Sequence, residues 1–344
     1  NSEKNFTNQD ILNRINLLIS EGKITEAENY FIGKKEYIKD IPFTSYIEGL
    51  LELNKNNHSK ALAIFSVITD SYTDSDIHGM HSILALKGNI YRYCYNDSAN
   101  AAKEFEKAYQ LEKNIIYLNV LAECYLNLGK INIAEQKLIQ AKAINSRDAG
   151  YLATSSKYNR YKKNFEIALQ EIEEAILIEG YNPSFLVEKS FVLDSMGDIA
   201  GAIESCKKAY QIDNKFKSAL YNLANYHIKN NDIIQAEIEI KQYRKSYPQD
   251  IVALGTYFYI LYNLGNSKQV IREGKSYLIE DIAKHSHEAL NTLGLCYLIN
   301  KELAKAEECY SCLLSIYPNH VTAMQGMFYV NFLDKESRDL EKAN

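Results

Sequence analysis

Two cysteines in this 344-residue sequence have a spacing that could support chemistry. Cys309 and Cys312 form a CxxC, which is the spacing of many redox and zinc sites. The pair lies inside a predicted helix, and no second pair follows it, whereas a zinc site made of cysteines alone needs two such pairs. We therefore interpret the cysteines as reduced packing residues: Cys94, Cys124, Cys206, Cys296, Cys309 and Cys312.

Acidic and imidazole side chains that could bind a metal ion occur close together in one stretch: Asp74, Asp76, His78 and His81. Their spacing matches no recognised ligand pattern, so a polar connecting loop is the alternative interpretation of residues 70–81. His285 and His287 alternate further along, where a solvated pair at a turn or a helix start is expected. We predict no metal site in the chain.

Motifs for catalysis are missing from the sequence. It contains no phosphate-binding glycine loop, no HExxH, no GxSxG and no cysteine with a credible histidine partner. The glutamate pairs 173–174 and 307–308 fall on predicted helices, where a solvated face explains them. We therefore predict that the chain is not an enzyme and that it needs no cofactor.

Composition restricts the possible partners. Hydrophobic residues make up 46% and charged residues 24%, which is typical of a folded protein, and only four prolines are present. The net charge of −5 argues against nucleic acid as a partner, and no apolar run is long enough for a transmembrane segment.

The sequence begins at Asn1 without methionine, so the localisation stays open: cytoplasmic is favoured, and periplasmic or lipid-anchored is the alternative if an N-terminal signal was removed.

Small residues recur along the chain at intervals close to 34: Ala27, Ala61, Ala101, Ala134, Ala168, Ala202, Ala236, Val270 and Ala306. A period of 34 is typical of stacked helix-turn-helix units. Each of these residues is placed near the start of a second helix, where a small side chain lets the first helix approach closely. Five positions earlier, a residue that tolerates positive φ is expected to end the first helix: Gly22, Asn56, Asn96, Gly129, Gly197, Asn231 or Gly265.

Residues 117–145 and 290–318, with Leu121-Ala122, Leu293-Gly294 and the alanines above, resemble tetratricopeptide repeats. The resemblance implies an all-α fold, an α-solenoid of helix-turn-helix repeats that forms a right-handed superhelix. It predicts a polar N-terminal segment over 1–7, nine repeats over 8–320, and over 321–344 either a capping helix or a truncated tenth repeat. The interval of 40 before Ala101 and of 36 before Ala306 indicates two insertions.

The resemblance also implies a concave groove lined by the first helices, where partners bind to positions that stacking does not require. The earlier groove residues are polar and include three cations, whereas the later ones are more aromatic. The candidate groove residues are Asn89, Arg92, Asn119, Glu123, Asn127, Lys157, Arg160, Tyr161, Phe191, Asp194, Tyr221, Asn225, Lys229, Tyr259, Tyr262, Asn263 and Asn291.

Asparagine suits an extended peptide because its amide both donates and accepts hydrogen bonds. The chaperone-adaptor subtype of the family has a carboxylate clamp with Lys and Arg four residues apart. Here Lys157 and Arg160 are three apart, so binding to a chaperone's acidic tail is not expected. A biased composition, with 27 tyrosines and no tryptophan, is the alternative explanation of the groove's residue types.

Three functions agree with these features. The leading hypothesis is a non-catalytic scaffold or adaptor that binds protein or peptide partners in its groove, in a bacterial assembly or secretion system. The alternatives are a repeat module of a larger protein, such as one for surface-polymer export or a transferase, and a peptide-sensing regulator. The sequence leaves the oligomeric state open.

Overall fold

The structure, a computed structural model, describes residues 7–72, 79–248 and 250–343, with side chains as far as residue 335. These residues form twenty α-helices and no strand, and the chain divides into two compact units, Asn1–Ile178 and Glu179–Asn344. The first ten helices are α1 Asn8–Ser20, α2 Ile24–Lys35, α3 Ile41–Asn54, α4 His58–Ser71, α5 Met80–Cys94, α6 Ser98–Leu111, α7 Ile115–Asn127, α8 Ile131–Ile144, α9 Ala149–Tyr161 and α10 Phe165–Glu179.

The remaining helices are α11 Pro183–Ser195, α12 Ile199–Ile212, α13 Lys217–Lys229, α14 Ile233–Ser246, α15 Leu254–Asn263, α16 Ser267–Gly274, α17 Ile279–His285, α18 His287–Ile299, α19 Leu303–Ile316 and α20 Val321–Ala343. Consecutive helices pack in pairs, such as α3 on α4, α7 on α8 and α13 on α14. First helices of neighbouring pairs also contact each other, as α7 does α9. The predicted all-α repeat fold is confirmed.

The pair formed by α7 and α8 illustrates why the sequence folds this way. The side chain of Asn114 accepts a hydrogen bond from the backbone N–H of Ile116 and so caps the start of α7. Leu121 and Ala122 on α7 are fully buried, as is Ala134 on α8. Small side chains at the contact allow close approach of the two helices, and the larger ones then fill the core.

The residues predicted to end the first helices do so in the left-handed conformation. Gly22, Asn56, Asn96, Gly129, Gly197, Asn231 and Gly265 all have positive φ, which confirms the prediction. Two lysines, Lys163 and Lys301, take the same conformation in the pairs that have neither glycine nor asparagine at this position. The turn is therefore imposed by the packing of the two helices even where the local residue disfavours it.

The end of helix α5 and the turn after it contain one residue more than the equivalent segments. The N–H of Asp97 bonds the carbonyl of Tyr91, six residues back, whereas the N–H of Lys130 bonds that of Tyr125, five back. The glycine in contact with the second helix is consequently Gly88, where a Cβ would lie 2.6 Å from the ring of Phe105. The extra residue lies between Tyr91 and Asp97, so Asn89 and the earlier residues of α5 are one position out of the register counted back from Ala101.

The eighth pair departs most from the pattern. Its second helix stops after eight residues at Gly274, and the chain continues as the short α17. A side chain at Gly274 would collide with Leu293 of α18, since a Cβ would lie 2.7 Å from Leu293 Cδ1. The predicted insertion before Ala306 thus lies in the segment that includes α17, and the glycine in place of a large residue makes room for the next pair.

The last helix, α20, runs without a turn from Val321 to Ala343. Leu340, which lies 34 residues after Ala306, therefore belongs to the same helix and not to a second one. Ala323 and Val330 are buried on the side that packs on α19 and α18. The opposite side exposes large apolar residues, among them Phe328 and Phe332.

Candidate protein-interaction site

Three first helices of unit 1 are joined by one group of charged side chains. The guanidinium of Arg92 on α5 pairs with Glu123 on α7, and Lys157 Nζ on α9 donates to the other oxygen of Glu123 at 3.0 Å. The side chains of Arg92 and Lys157 are 13% and 18% exposed. Two cations thus share one carboxylate at a surface that is partly open to water.

Further along these helices the candidate residues become more exposed. Asn127 and Tyr161 lie at the carboxyl ends of α7 and α9, and both are exposed. The guanidinium of Arg160 lies 5.4 Å from the ring centre of Tyr161, a cation–π contact. Asn89 on α5 is partly buried, and it occupies the shifted position that the extra residue near the end of α5 gives it.

The asparagines offer fewer free groups than the sequence suggests. Asn119 is buried, and its Nδ2 donates to Asp148, the residue that caps α9, at 3.0 Å. Asn225 and Asn263 donate to backbone carbonyls one turn earlier, at Tyr221 and Tyr259. These donors therefore stabilise the repeats, which the residue types alone do not reveal.

In unit 2 the predicted residues form two contacts between first helices. Lys229 on α13 donates to both oxygens of Asp194 on α11 at 2.6 Å. Thr256 on α15 lies within hydrogen-bond distance of Asn225 Oδ1, at 3.1 Å, and of the hydroxyl of Tyr221, at 3.3 Å. Thr256 was not predicted, because its role depends on the contact between α13 and α15.

The aromatic candidates of unit 2 differ in exposure. Tyr221 is partly buried, and its ring centre lies 5.6 Å from that of Tyr243. Tyr262 is also partly buried and packs on the core, whereas Tyr259 is 46% exposed. The two remaining candidates in this unit, Phe191 and Asn291, are partly buried.

The groups considered for metal or redox chemistry have other surroundings. Asp74, Asp76 and His78 lie outside the described residues; His81 Nδ1 lies 2.8 Å from the hydroxyl of Tyr117, and its Nε2 lies 2.7 Å from Glu112. Among the residues that are described, no three His, Cys, Asp or Glu side chains are placed to hold a metal ion.

The structure also defines the surroundings of the histidines beside the second insertion and of the two CxxC cysteines. His285 is exposed at the end of α17, and the ring of His287 lies 5.4 Å from that of His320. Burial raises the pKa of the Cys309 thiol to about 12 and also raises the pKa of Cys312, so neither is a thiolate near neutral pH.

No cavity was predicted from the sequence, and the described residues form several. In unit 1, a cavity of about 320 Å³ lies at the amino-terminal ends of α1, α3 and α5, with Phe43 and Tyr46 in its wall. In unit 2, one of about 480 Å³ is lined by residues that include Lys217, Asp250 and His285. The signal for the first was the aromatic pair on α3, one repeat before the predicted groove residues begin.

Comparisons with known proteins agree with the fold. Residues 195–256 match the family model described as tetratricopeptide repeat. No curated protein sequence matches the chain. Within the described part of the chain, no helix has the length and apolarity needed to cross a bilayer.

Solved structures with the same kind of helix array are similar at low sequence identity. A structure of the human IFIT1 dimer with PPP-AAAA gives a TM-score of 0.59 at 16% identity, over 90% of this chain and 82% of that chain. The APC/C hetero-tetramer Cut9-Hcn1 gives 0.55 at 13% identity, over 72% of this chain. The match spans 48% of that second chain, about half its length. These likenesses concern the fold alone.

Proposed function

Because this chain is a tetratricopeptide-repeat protein, we propose that it is a non-catalytic scaffold that holds a segment of a partner protein against its first helices. Arrays of this kind offer extended surfaces on which the residues not needed for stacking are free to bind. The proposal concerns each unit separately, since each has its own set of candidate residues.

The observation that carries the proposal is the sharing of Glu123 by Arg92 and Lys157. The guanidinium of Arg92 and the ammonium group of Lys157 each carry a full positive charge, and both donate to the same carboxylate. These donors meet at a surface whose side chains are 13–29% exposed, and partial burial weakens the screening of their charge by water and salt. A carboxylate from a partner segment is a group that both cations attract.

Unit 2 supports the same function with different chemistry. Tyr259 is half-exposed beside the partly buried Tyr262, and the charge of Lys229 is matched by Asp194. Tyrosine supplies a large contact area with few rotatable bonds to immobilise. This surface therefore suits apolar or aromatic side chains of a partner segment, and unit 1 suits acidic ones.

Fluorescence polarisation with labelled acidic decapeptides, and with the same peptides carrying Asn and Gln in place of Asp and Glu, tests the proposal. Glu123→Gln removes the competing carboxylate, and we expect it to tighten acidic peptides by about threefold to tenfold at low salt. The double variant Arg92→Ala and Lys157→Ala is expected to weaken them by at least as much. The two changes act in opposite directions on one surface, which separates binding from loss of fold.

The matched control is the double variant Lys142→Ala and Arg147→Ala, which removes two exposed cations of the same unit from outside the proposed site. It should leave the affinity unchanged within about twofold. An equal loss of affinity in the control and in the Arg92 and Lys157 variant would show that net charge, and not this site, causes the effect. An absence of binding by every acidic peptide would refute the proposed surface.

A further inference from the structure

We propose that the cavity at the amino-terminal ends of α1, α3 and α5 is a subsite for one lysine or arginine side chain of the partner segment. The inference rests on the proposed function and adds a second, oppositely charged requirement to the partner. All of the residues concerned belong to unit 1.

The cavity has the size and wall of a side-chain subsite. Its volume is about 320 Å³, at the small end of ligand pockets, so it suits one side chain better than a larger molecule. Leu12, Phe43, Tyr46 and Ile83 supply an apolar wall. Lysine and arginine have apolar stems that gain from such contact while their charged ends stay near the rim.

Asp40 supplies the charge complementarity. It is the only charged residue that lines the cavity among those the structure describes. Its Oδ1 accepts from the backbone N–H of Phe43 at 2.9 Å, and its Oδ2 accepts from Asn8 Nδ2 at 3.3 Å. A carboxylate has about four acceptor positions, so roughly two remain for an incoming ammonium or guanidinium group.

The helix ends oppose a cation but do not outweigh the acidic groups. Each amino terminus carries about half a positive charge. The end of α1 is capped by Thr7 and Asp10, and the end of α3 by Asp40 itself, whereas Gly79 at α5 contributes no side-chain cap. Two full negative charges, Asp40 in the cavity wall and Asp10 at the start of α1, therefore stand against three partial positive ones.

The aromatic residues favour a cation over a neutral side chain. Phe43 and Tyr46 are both partly buried, and burial raises the pKa of Tyr46, which keeps its phenol neutral. The face of a neutral aromatic ring attracts a cation that lies within about 6 Å. A methionine or leucine would fill the same volume but would leave the free acceptors of Asp40 unused.

Helix α5 relates this cavity to the shared carboxylate of unit 1. Ile83 lines the cavity and Arg92 pairs with Glu123, and nine residues of helix separate them, or about 14 Å along the axis. An extended peptide advances about 3.3–3.6 Å per residue. The basic and acidic residues of the partner are thus expected to lie at least about four positions apart.

Decapeptides with one glutamate and, five positions away, either lysine or its neutral isostere norleucine test the inference in fluorescence polarisation. The wild-type protein should bind the lysine peptide about threefold to tenfold more tightly, which is the range of exposed ion pairs combined with a cation–π contact. Asp40→Asn should remove most of this preference. Asparagine is as good a helix cap as aspartate, so the variant keeps the start of α3.

Asp97→Asn is the matched control, because Asp97 also caps a helix of unit 1 and does not line this cavity. It should retain the full preference for lysine. If glutamate peptides bind and respond to Glu123→Gln, but lysine and norleucine bind alike or the preference survives Asp40→Asn, the subsite is wrong and the proposed function stands. If no peptide binds, both are wrong.

Discussion

Some buried polar side chains among the described residues of this repeat array have atoms without a hydrogen-bond partner. His227 on α13 is only 5% exposed, and neither of its ring nitrogens has a hydrogen-bond partner among the described residues. Asp232 Oδ2 lies 3.8 Å from Nδ1, too far for a hydrogen bond. Burial lowers the pKa of His227, with Lys207 acting in the same direction and Asp232 and Glu239 opposing it.

The stability of unit 2 is therefore expected to fall in acid. An unfolded histidine has a pKa near 6.5, and the folded pKa is lower, so folding stability is present above about pH 6.5 and declines as the pH falls towards the folded pKa. His227→Phe should reduce this decline. It should also raise the free energy of unfolding at pH 7 by about 1 kcal/mol, because two unsatisfied nitrogens are removed.

Urea unfolding at pH 7.5, 6.5 and 5.5 measures both effects. His285→Phe, at an exposed histidine of the same unit, is the control. Its free energy of unfolding should change with pH as that of the wild type does. A His227→Phe variant that loses as much stability in acid as the wild type does would contradict the prediction.

At the scale of helices and turns, the backbone is least favourable at two lysines, Lys163 and Lys301. Lys163 has φ of +63° in the turn between α9 and α10, whereas its neighbour Lys162 has φ of −78°. A left-handed conformation is unfavourable by about 1–2 kcal/mol for a residue with a Cβ, and glycine avoids most of this. Lys162 and Lys163 are both exposed and have the same side chain, but of the two only Lys163 has a positive φ.

Lys163→Gly is expected to stabilise the protein by about 0.5–1 kcal/mol, and Lys162→Gly to destabilise it by a similar amount. The midpoint of chemical unfolding, followed by the circular dichroism of the helices, measures the difference. Both changes remove the same side chain, so shifts of the same sign would show that charge and not conformation decides the outcome.

At the scale of the whole molecule, each unit has its own buried cluster. In unit 1 a cluster runs from Ile11 to Ile90 and includes Phe65, and in unit 2 one runs from Leu220 to Val330 and includes Phe258. Both phenylalanines are 0% exposed. In a repeat array, interactions are mainly between neighbours, so damage is expected to stay local.

Phe65→Ala should lower hydrogen-exchange protection in α3–α6 by about 3–5 kcal/mol of opening free energy and much less in α15–α19. Phe258→Ala should give the reverse pattern. Mass-spectrometric exchange of both variants resolves the two regions. Equal loss of protection throughout would mean that the chain opens as one cooperative body.

The sequence predicted the fold well and the candidate site only in part. The alanine register and the glycine and asparagine turns follow from contacts within one helix pair, where local spacing is enough. Whether a candidate residue is free to bind a partner does not follow from local spacing. Asn119 looks free in the sequence, but its partner Asp148 is 29 residues away, and Asp40 with Phe43 lies on a repeat whose spacing gave no reason to select it.

By itself, then, the sequence determined the helix pairs, their turns and their packing register, because these depend on residue size and backbone freedom at a repeated interval. Only the tertiary structure decided that Arg92 and Lys157 share one carboxylate, that the end of α5 and the turn after it hold an extra residue, that the eighth pair is split at Gly274, and that a cavity opens beside Asp40. These features depend on side chains from different repeats meeting in space, and their mutual distances are set by how successive helices pack.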